Sequence, residues 1–271
     1  MVTPILTTLT TLMYLAAAIL LYRGLVTADS KKQTTALILT IIGLLSHGGL
    51  IAGGWQASGS LEVGWLHILS ACAWVMVLVV VGGRIFRQQV FDAALVALPL
   101  AAVVVAADGF LPLRGIPLES ISTETKIHVI SSVLAFGLLG IGAVYAVFIA
   151  VLDHFLRRHR LTALVRALPA LDVLERLLAR LVMLGELLLT VSLISGFLFI
   201  ENLFDQHLIH KTVLSLLAWI VFGVLLLGRW RFGWRGQRMV RLTLAGMVLL
   251  LLSYFGSKLV LEQILGTSWQ V

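Results

Sequence analysis

Cysteine and charge are both scarce in this sequence. Of its 271 residues, 12% are charged and 60% are hydrophobic, whereas a soluble domain carries about 25% charged residues. This composition excludes an ordinary soluble chain. The single cysteine, Cys72, has no partner for an intrachain disulfide, and the absence of a CxxC motif excludes covalent haem attachment and a paired-cysteine zinc site.

Long apolar runs take the place of charged surface. The mean hydropathy is +1.05, and eight runs are near the ~20 residues that a helix needs to cross a bilayer. The expected fold is therefore all-α, a single transmembrane domain over residues 1–271. The first run is expected to be a retained helix, because no positive residue precedes it and no cleavage signal follows it. The predicted spans are residues 3–25, 33–54, 63–83, 90–107, 126–152, 178–200, 209–228 and 240–261.

Positive charge is divided unevenly between the predicted loops. With the N-terminus outside, the inner loops hold sixteen Lys and Arg residues, and the outer side holds Arg114, Lys126, Lys211 and Lys258. Positively charged loops stay inside, so both termini are predicted to face the periplasm in a multi-pass protein of the bacterial inner membrane. The pI of about 10.1 then reflects this orientation, and no nucleic-acid partner is expected.

The inner segment 157–180 alternates arginines with an apolar stripe formed by Leu161, Leu164, Val165 and Leu168. This spacing predicts an amphipathic helix that lies on the anionic inner leaflet, and the alternative is a solvated connector. His154 and His159 lie among these arginines and are interpreted as surface residues without a metal role.

The five remaining histidines all fall in the outer half of the membrane or at its outer face. At ~1.5 Å per residue, His47 lies roughly 10 Å and His67 roughly 6 Å from the outer boundary. His128 and His210 begin inward-running spans, and His207 precedes the second of these spans, where it can still belong to the loop. A single histidine in such a place is most simply an interhelical hydrogen-bonding or interfacial residue. Five on one side favour a common function.

Paired imidazoles in apolar surroundings suit the axial positions of a b-type haem. Zinc would require a tighter cluster with Cys or carboxylate ligands. A large planar macrocycle needs helices that part or carry small residues, and Gly49 and Gly53, four apart on one face beside His47, supply them. The predicted site therefore binds one or two haems b, with the axial pairing left open and with two lysines placed to neutralise propionates. The candidate iron ligands are His47, His67, His128 and His210, and the lysines are Lys126 and Lys211.

Glu186 is the one acidic residue deep within the predicted sixth span. Charged groups in lipid are costly and are often functional. It is interpreted either as a protonated carboxyl paired with Ser or Thr, or as a proton-handling group.

Several segments resemble the cytochrome c assembly family of haem-handling membrane proteins, in its YpjD- and HemX-like branch. The resemblance covers nearly the whole chain and is most specific in "HVISSVLAFGLLGIGAVYAVFIAVLDHFLRRHR" (128–160), "LLLTVSLISGFLF" (187–199), "LSLLAWIVFGVLLLGRWRFGWRG" (214–236) and "SYFGSKLV" (253–260). It implies that His128 is similar to the first periplasmic haem ligand and His47 to the first transmembrane one. Assembly factors of the family present haem to apocytochrome c.

The sequence departs from the family pattern at four places. The tryptophan-rich outer loop is replaced by residues 202–212 without tryptophan, and Leu227 and Leu265 stand where the second pair of histidines is expected. His67 stands where a carboxylate is usual, and His210 is a candidate replacement for a lost axial ligand.

The function inferred from these features is to bind haem b and to handle or relay it at the outer face, with haem and membrane lipid as partners. Two alternatives remain: a haem-free accessory subunit that binds another membrane protein, and a quinone-linked membrane cytochrome b. No catalytic residue is assigned, and enzymatic turnover is left undecided.

If the inner positive charges set the orientation, a reporter that is active only in the periplasm should be active when fused after Val271 and inactive when fused within residues 157–180. The same fusions to a reporter that is active only in the cytoplasm are the matched control and should give the opposite pattern. A reversed result would move all five histidines to the inner side.

Overall fold

The computed structural model describes residues 2–58, 62–85, 91–111, 116–117, 123–159, 162–199 and 206–256. At some element ends, including His207 and His210, it describes the backbone alone. This part of the chain is almost entirely helical. The helices are α1 Val2–Val26, α2 Ser30–Ser58, α3 Trp65–Ile85, α4 Ala94–Phe110, α5 Thr123–Arg157, α6 Ala163–Ala167, α7 Leu171–Phe199, α8 Gln206–Phe232 and α9 Gln237–Leu251.

Seven helices in the described ranges are long and apolar enough to cross a membrane. They confirm the prediction of a helical, multi-pass membrane protein. The eighth predicted span, residues 240–261, starts within α9, continues through a π-helical segment at Leu252–Gly256 and then leaves the described residues. The spans are Thr3–Val26, Ser30–Gly53, Trp65–Ile85, Phe91–Phe110, Thr125–Arg157, Leu171–Leu198 and Lys211–Phe232.

The segment 157–180 differs from the single amphipathic helix that the sequence predicts. It contains the short helix α6 and the first turns of α7, and Pro169 lies between them. Proline lacks the backbone N–H that a helix interior needs, which accounts for the interruption. Val165 of α6 is buried and Arg166 is exposed, while α6 itself contacts α1. The apolar side of this helix therefore meets the bundle.

The most extensive helix contact is between α5 and α7, and α5 also packs against α3 and α9. Tyr145 and Ile149 of α5 are fully buried, as are Leu174 and Leu178 of α7. The helices α1, α2 and α4 pack together on the other side of α3. The pair α5–α7 thus forms a rigid platform, and α3 lies between it and the first helices.

Polar contacts join the helices at both ends of the bundle. A two-residue antiparallel pair, β1 Glu62–Val63 with β2 Ile116–Pro117, connects the segments that precede α3 and α5. At the opposite end, Glu175 Oε1 accepts the backbone N–H of Gly236 at 2.8 Å. Asp29 accepts the N–H groups of Lys31 and Lys32 at the start of α2, and the Lys32 ammonium holds the pKa of this carboxyl below its usual range.

The α5–α7 platform predicts a stability effect at Gly185 of α7. A Cβ added at Gly185 would lie 2.6 Å from Leu139 Cγ, so Gly185→Ala should overpack the interface and lower the free energy of unfolding by about 1–3 kcal/mol. Gly82→Ala in α3 is the control, because a Cβ there meets no described atom within 4 Å. Thermal unfolding in detergent should show a lower midpoint for the Gly185 variant alone, and equal midpoints would contradict the close approach.

Candidate functional site

The structure divides the predicted ligands between two places. His47 and His67 belong to a polar network among α1–α4, and His128 and Lys211 line a cavity between α3, α5, α7, α8 and the π-helical segment. His210 lies next to Lys211 on α8, but its side chain is outside the described part, as is all of Lys258. His207 lies on α8 rather than in the loop.

His47 is fully buried, and both of its ring nitrogens have partners. Nδ1 is 3.2 Å from the Tyr14 hydroxyl of α1, and Nε2 is 3.0 Å from the Ser70 hydroxyl of α3. The three side chains therefore connect three helices. With both nitrogens engaged, neither is available to iron in this arrangement.

His67 forms a second part of the same network. Its Nδ1 lies 3.2 Å from Asp108 Oδ1 of α4, and both atoms are buried without another partner among the described residues. The Asp108 carboxylate also accepts a hydrogen bond from Ser70. His47 and His67 are thus connected through Ser70 and Asp108, and they do not face each other across an open space.

Gly49 and Gly53 border open space, because a Cβ at either position would meet no described atom within 4 Å. The close approaches on α2 are at Gly43, whose Cβ would lie 2.7 Å from the Tyr14 ring, and at Gly48, beside Trp74. The glycines adjacent to the network therefore make room for aromatic side chains.

The cavity around His128 has a volume of about 400 Å³, within the range typical of cofactor and ligand sites. Its walls are mainly apolar, with a few polar groups among them. Lys211 and Thr212 line the cavity from the first turns of α8, and Cys72 lines it from α3. The remaining polar lining residues are His128, Ser132, Ser192, Ser215, Ser253 and Tyr254.

His128 has one ring nitrogen fixed and one without a partner in the described chain. Nδ1 is 2.8 Å from the backbone carbonyl oxygen of Ser192 on α7. A carbonyl only accepts, so Nδ1 carries the proton and Nε2 retains its lone pair. Iron-binding and zinc-binding histidines typically show this arrangement, in which a carbonyl holds the other nitrogen. His128 therefore meets the requirements of a metal or haem ligand.

Of the two predicted lysines, Lys211 lies near a predicted iron ligand in the structure. It lines the same cavity as His128, and its carbonyl oxygen accepts hydrogen bonds from Ser215 and Ser253. Lys126 is half-buried two residues before His128, but it is not among the described lining residues. His154 and His159 are exposed on the opposite side of the protein.

Glu186 is buried on α7, and its Oε2 has no hydrogen-bond partner among the described residues. The Thr190 hydroxyl donates to the Glu186 backbone carbonyl at 2.8 Å and accepts from Trp219 Nε1 at 2.9 Å. Thr190 therefore bonds to the Glu186 backbone, and no bond from it to the carboxyl is observed.

Asp108 and Tyr14 were missed by the sequence analysis. Asp108 is an acidic residue at the end of an apolar run, so the reasoning applied to Glu186 could have found it. Tyr14 gives no comparable signal, because a tyrosine in an apolar helix is usually a packing residue.

The chain also shares its sequence with a known protein family. The sequence profile of the cytochrome c assembly protein family matches residues 65–265. The chain belongs to this family. It is 32% identical to the inner membrane protein YpjD of Escherichia coli K12, over 96% of this chain and 99% of YpjD. An uncharacterized 28.8 kDa protein of Azospirillum brasilense is 34% identical over 52% of each chain. Protein HemX of Brevibacillus brevis is 26% identical over 60% of this chain and 62% of HemX. No solved structure matches.

The contact of Tyr14 with His47 predicts a stability effect. Tyr14→Phe removes the only described partner of His47 Nδ1, and a buried polar atom left without a partner costs about 1–3 kcal/mol. Tyr22→Phe on the same helix is the control, because Tyr22 is 51% exposed. The thermal midpoint in detergent should fall for the Tyr14 variant and stay constant for the Tyr22 variant. An unchanged Tyr14 variant would mean that the contact contributes nothing to stability.

Proposed function

We propose that this inner-membrane member of the cytochrome c assembly family binds a b-type haem in the cavity between α3, α5, α7 and α8, and handles or relays it at the outer face. The observation that carries the proposal is the state of His128. Its Nδ1 donates to Ser192, and its Nε2 has no partner in the described chain. An apolar cavity lies beside His128, and Lys211 is one of the residues that line it.

The residues of the cavity match the chemical parts of haem. Apolar side chains such as Phe136, Leu189 and Leu193 suit the macrocycle, and the Lys211 ammonium suits a propionate. His128 Nε2 would hold the iron, and His210, one residue before Lys211 on α8, is proposed as the second iron ligand. When bound, haem would supply a redox-active iron centre.

The outer placement of this cavity follows from the proposed topology. With eight spans and both termini in the periplasm, α5 and α8 both begin at the outer side. His128 lies five residues after the first residue of α5, and Lys211 lies five residues after the first residue of α8. Both residues would then be near the outer boundary, where a haem could enter or leave without crossing the bilayer.

A second haem at His47 and His67 would require the polar network to rearrange. His47 would have to give up the hydrogen bond to Tyr14 or the one to Ser70, and His67 would have to leave Asp108. Each loss leaves a buried polar partner unsatisfied. One haem per chain is therefore expected in the purified protein, and two would require this rearrangement.

The haem-free accessory subunit is the competing proposal, and the absence of tryptophan from residues 202–212 favours it. A reduced-minus-oxidised spectrum of the purified protein, with haem quantification, separates the two. A stoichiometric haem with a reversible redox change supports haem binding. A protein that neither retains nor takes up haem supports the accessory role.

The central test is His128→Gly. Loss of the axial imidazole should remove most of the bound haem or leave five-coordinate iron, and added imidazole should restore the low-spin spectrum by filling the vacant position. His154→Gly is the matched control, because it makes the same substitution on the same helix at an exposed site. An unchanged spectrum in His128→Gly would contradict the assignment of His128 as a ligand.

A further inference from the structure

The hydrogen bonds around His128 fix the position of every proton in a small cluster, which we call the serine clamp and define as Ser132, Ser192 and Ser195. Ser132 lies on α5, one turn after His128, and the other two lie on α7. Ser192 and Ser195 are buried. The clamp thus belongs to the α5–α7 platform, which is the most closely associated helix pair of the structure.

The Ser132 hydroxyl determines the direction of the other bonds. It lies 2.7 Å from the carbonyl oxygen of His128 and 2.5 Å from the Ser192 hydroxyl. A hydroxyl has one proton, and a carbonyl can only accept, so Ser132 donates to the His128 carbonyl. The Ser192 hydroxyl must therefore donate to Ser132.

This direction matters because the Ser192 hydroxyl is also near the imidazole. Its Oγ lies 3.4 Å from His128 Nδ1. While its proton is directed to Ser132, it cannot donate to Nδ1. Nδ1 then keeps its own proton and donates it to the Ser192 carbonyl, which also accepts from the Ser195 hydroxyl at 2.9 Å. A Ser192 hydroxyl released from Ser132 could instead turn towards Nδ1.

We propose that Ser132 is a positioning residue that selects the tautomer of His128: by holding the Ser192 hydroxyl away from Nδ1, it keeps the proton on Nδ1 and the lone pair on Nε2, the nitrogen needed for a ligand in the cavity. The role in haem binding rests on the proposed function, whereas the choice of tautomer does not. The second ring nitrogen of a metal-binding histidine is commonly fixed by such a partner.

Substitutions in the serine clamp should change the His128 tautomer in a pattern that a general loss of stability would not produce. Ser132→Ala releases the Ser192 hydroxyl, which can then donate to Nδ1 and favour the tautomer protonated at Nε2. Ser192→Ala keeps the backbone carbonyl and removes the competing donor, so the original tautomer should persist. The double variant Ser132→Ala/Ser192→Ala should therefore regain the original tautomer. Ser132→Thr keeps a hydroxyl and should behave like the unmodified protein.

The test uses the full-length, haem-free protein in lipid bilayers with ¹⁵N-labelled histidine, and assigns the His128 signals by their absence in His128→Gln. The unmodified protein should show the Nδ1-protonated form, and Ser132→Ala should show a second form protonated at Nε2. Ser46→Ala is the matched control, because it removes another interhelical hydroxyl pair, with Thr10 at 2.7 Å, away from the cavity. A Ser132→Ala spectrum with only the original tautomer, or a double variant that fails to regain it, would overturn the proposal.

Haem titration of the same variants connects the tautomer to binding. If only the Nδ1-protonated form binds, the apparent affinity should fall by the factor by which that form is depleted in Ser132→Ala, and it should recover in the double variant. An unmodified protein with the expected tautomer that takes up no haem would refute the proposed function and leave the role of Ser132 intact. Unchanged haem affinity despite a changed tautomer would refute the connection between the two.

Discussion

The hydrogen bond from His128 Nδ1 to the Ser192 carbonyl is the contact on which the candidate site depends. It joins the two helices that pack most extensively, so the imidazole takes its position from the rigid core of the bundle. Because a carbonyl cannot donate, the bond also decides which nitrogen is left with a lone pair. The contact therefore orients His128 and holds a proton on Nδ1, while the proposed role of Ser132 is to keep the competing Ser192 hydroxyl away from that nitrogen. The cavity supplies the space, and α8 supplies a positive charge beside it.

α3 separates the two groups of histidines and contributes to both. Ser70 and His67 point towards α2 and α4, where they complete the network with His47 and Asp108. Ile68 and Cys72 of the same helix line the cavity on the other side. The surroundings of His47 and His128 differ. His47 is fully buried and hydrogen-bonded at both ring nitrogens, whereas His128 borders the cavity.

Sequence alone predicted the parts of the fold that follow from hydropathy. The helical multi-pass architecture is readable because a chain in lipid must satisfy its backbone within helices. The positions of His128 and Lys211 near the starts of their helices were also predictable, since each stands at the start of an apolar run. The division of the histidines was not predictable, because depth in the membrane does not tell which face of a helix a residue occupies or which helices are neighbours. The broken helix over 157–180 could have been anticipated from Pro169, whereas the partner of His128 could not, because it is a backbone atom.

Few polar groups lie within the bilayer, so each buried polar side chain has few possible hydrogen-bond partners. A buried polar side chain without a partner costs more than a hydrogen bond contributes, so the described chain pairs Thr10 with Ser46, Ser132 with Ser192, and Ser215 with Ser253 across helices. His47 obeys the same rule at both nitrogens. His128 Nε2 is the imidazole nitrogen on the cavity side of this pattern, in a helix pair that is otherwise closely packed. In the proposed function this nitrogen meets a ligand that is not part of the chain, while the Ser192 carbonyl holds the other nitrogen and three serines surround that bond.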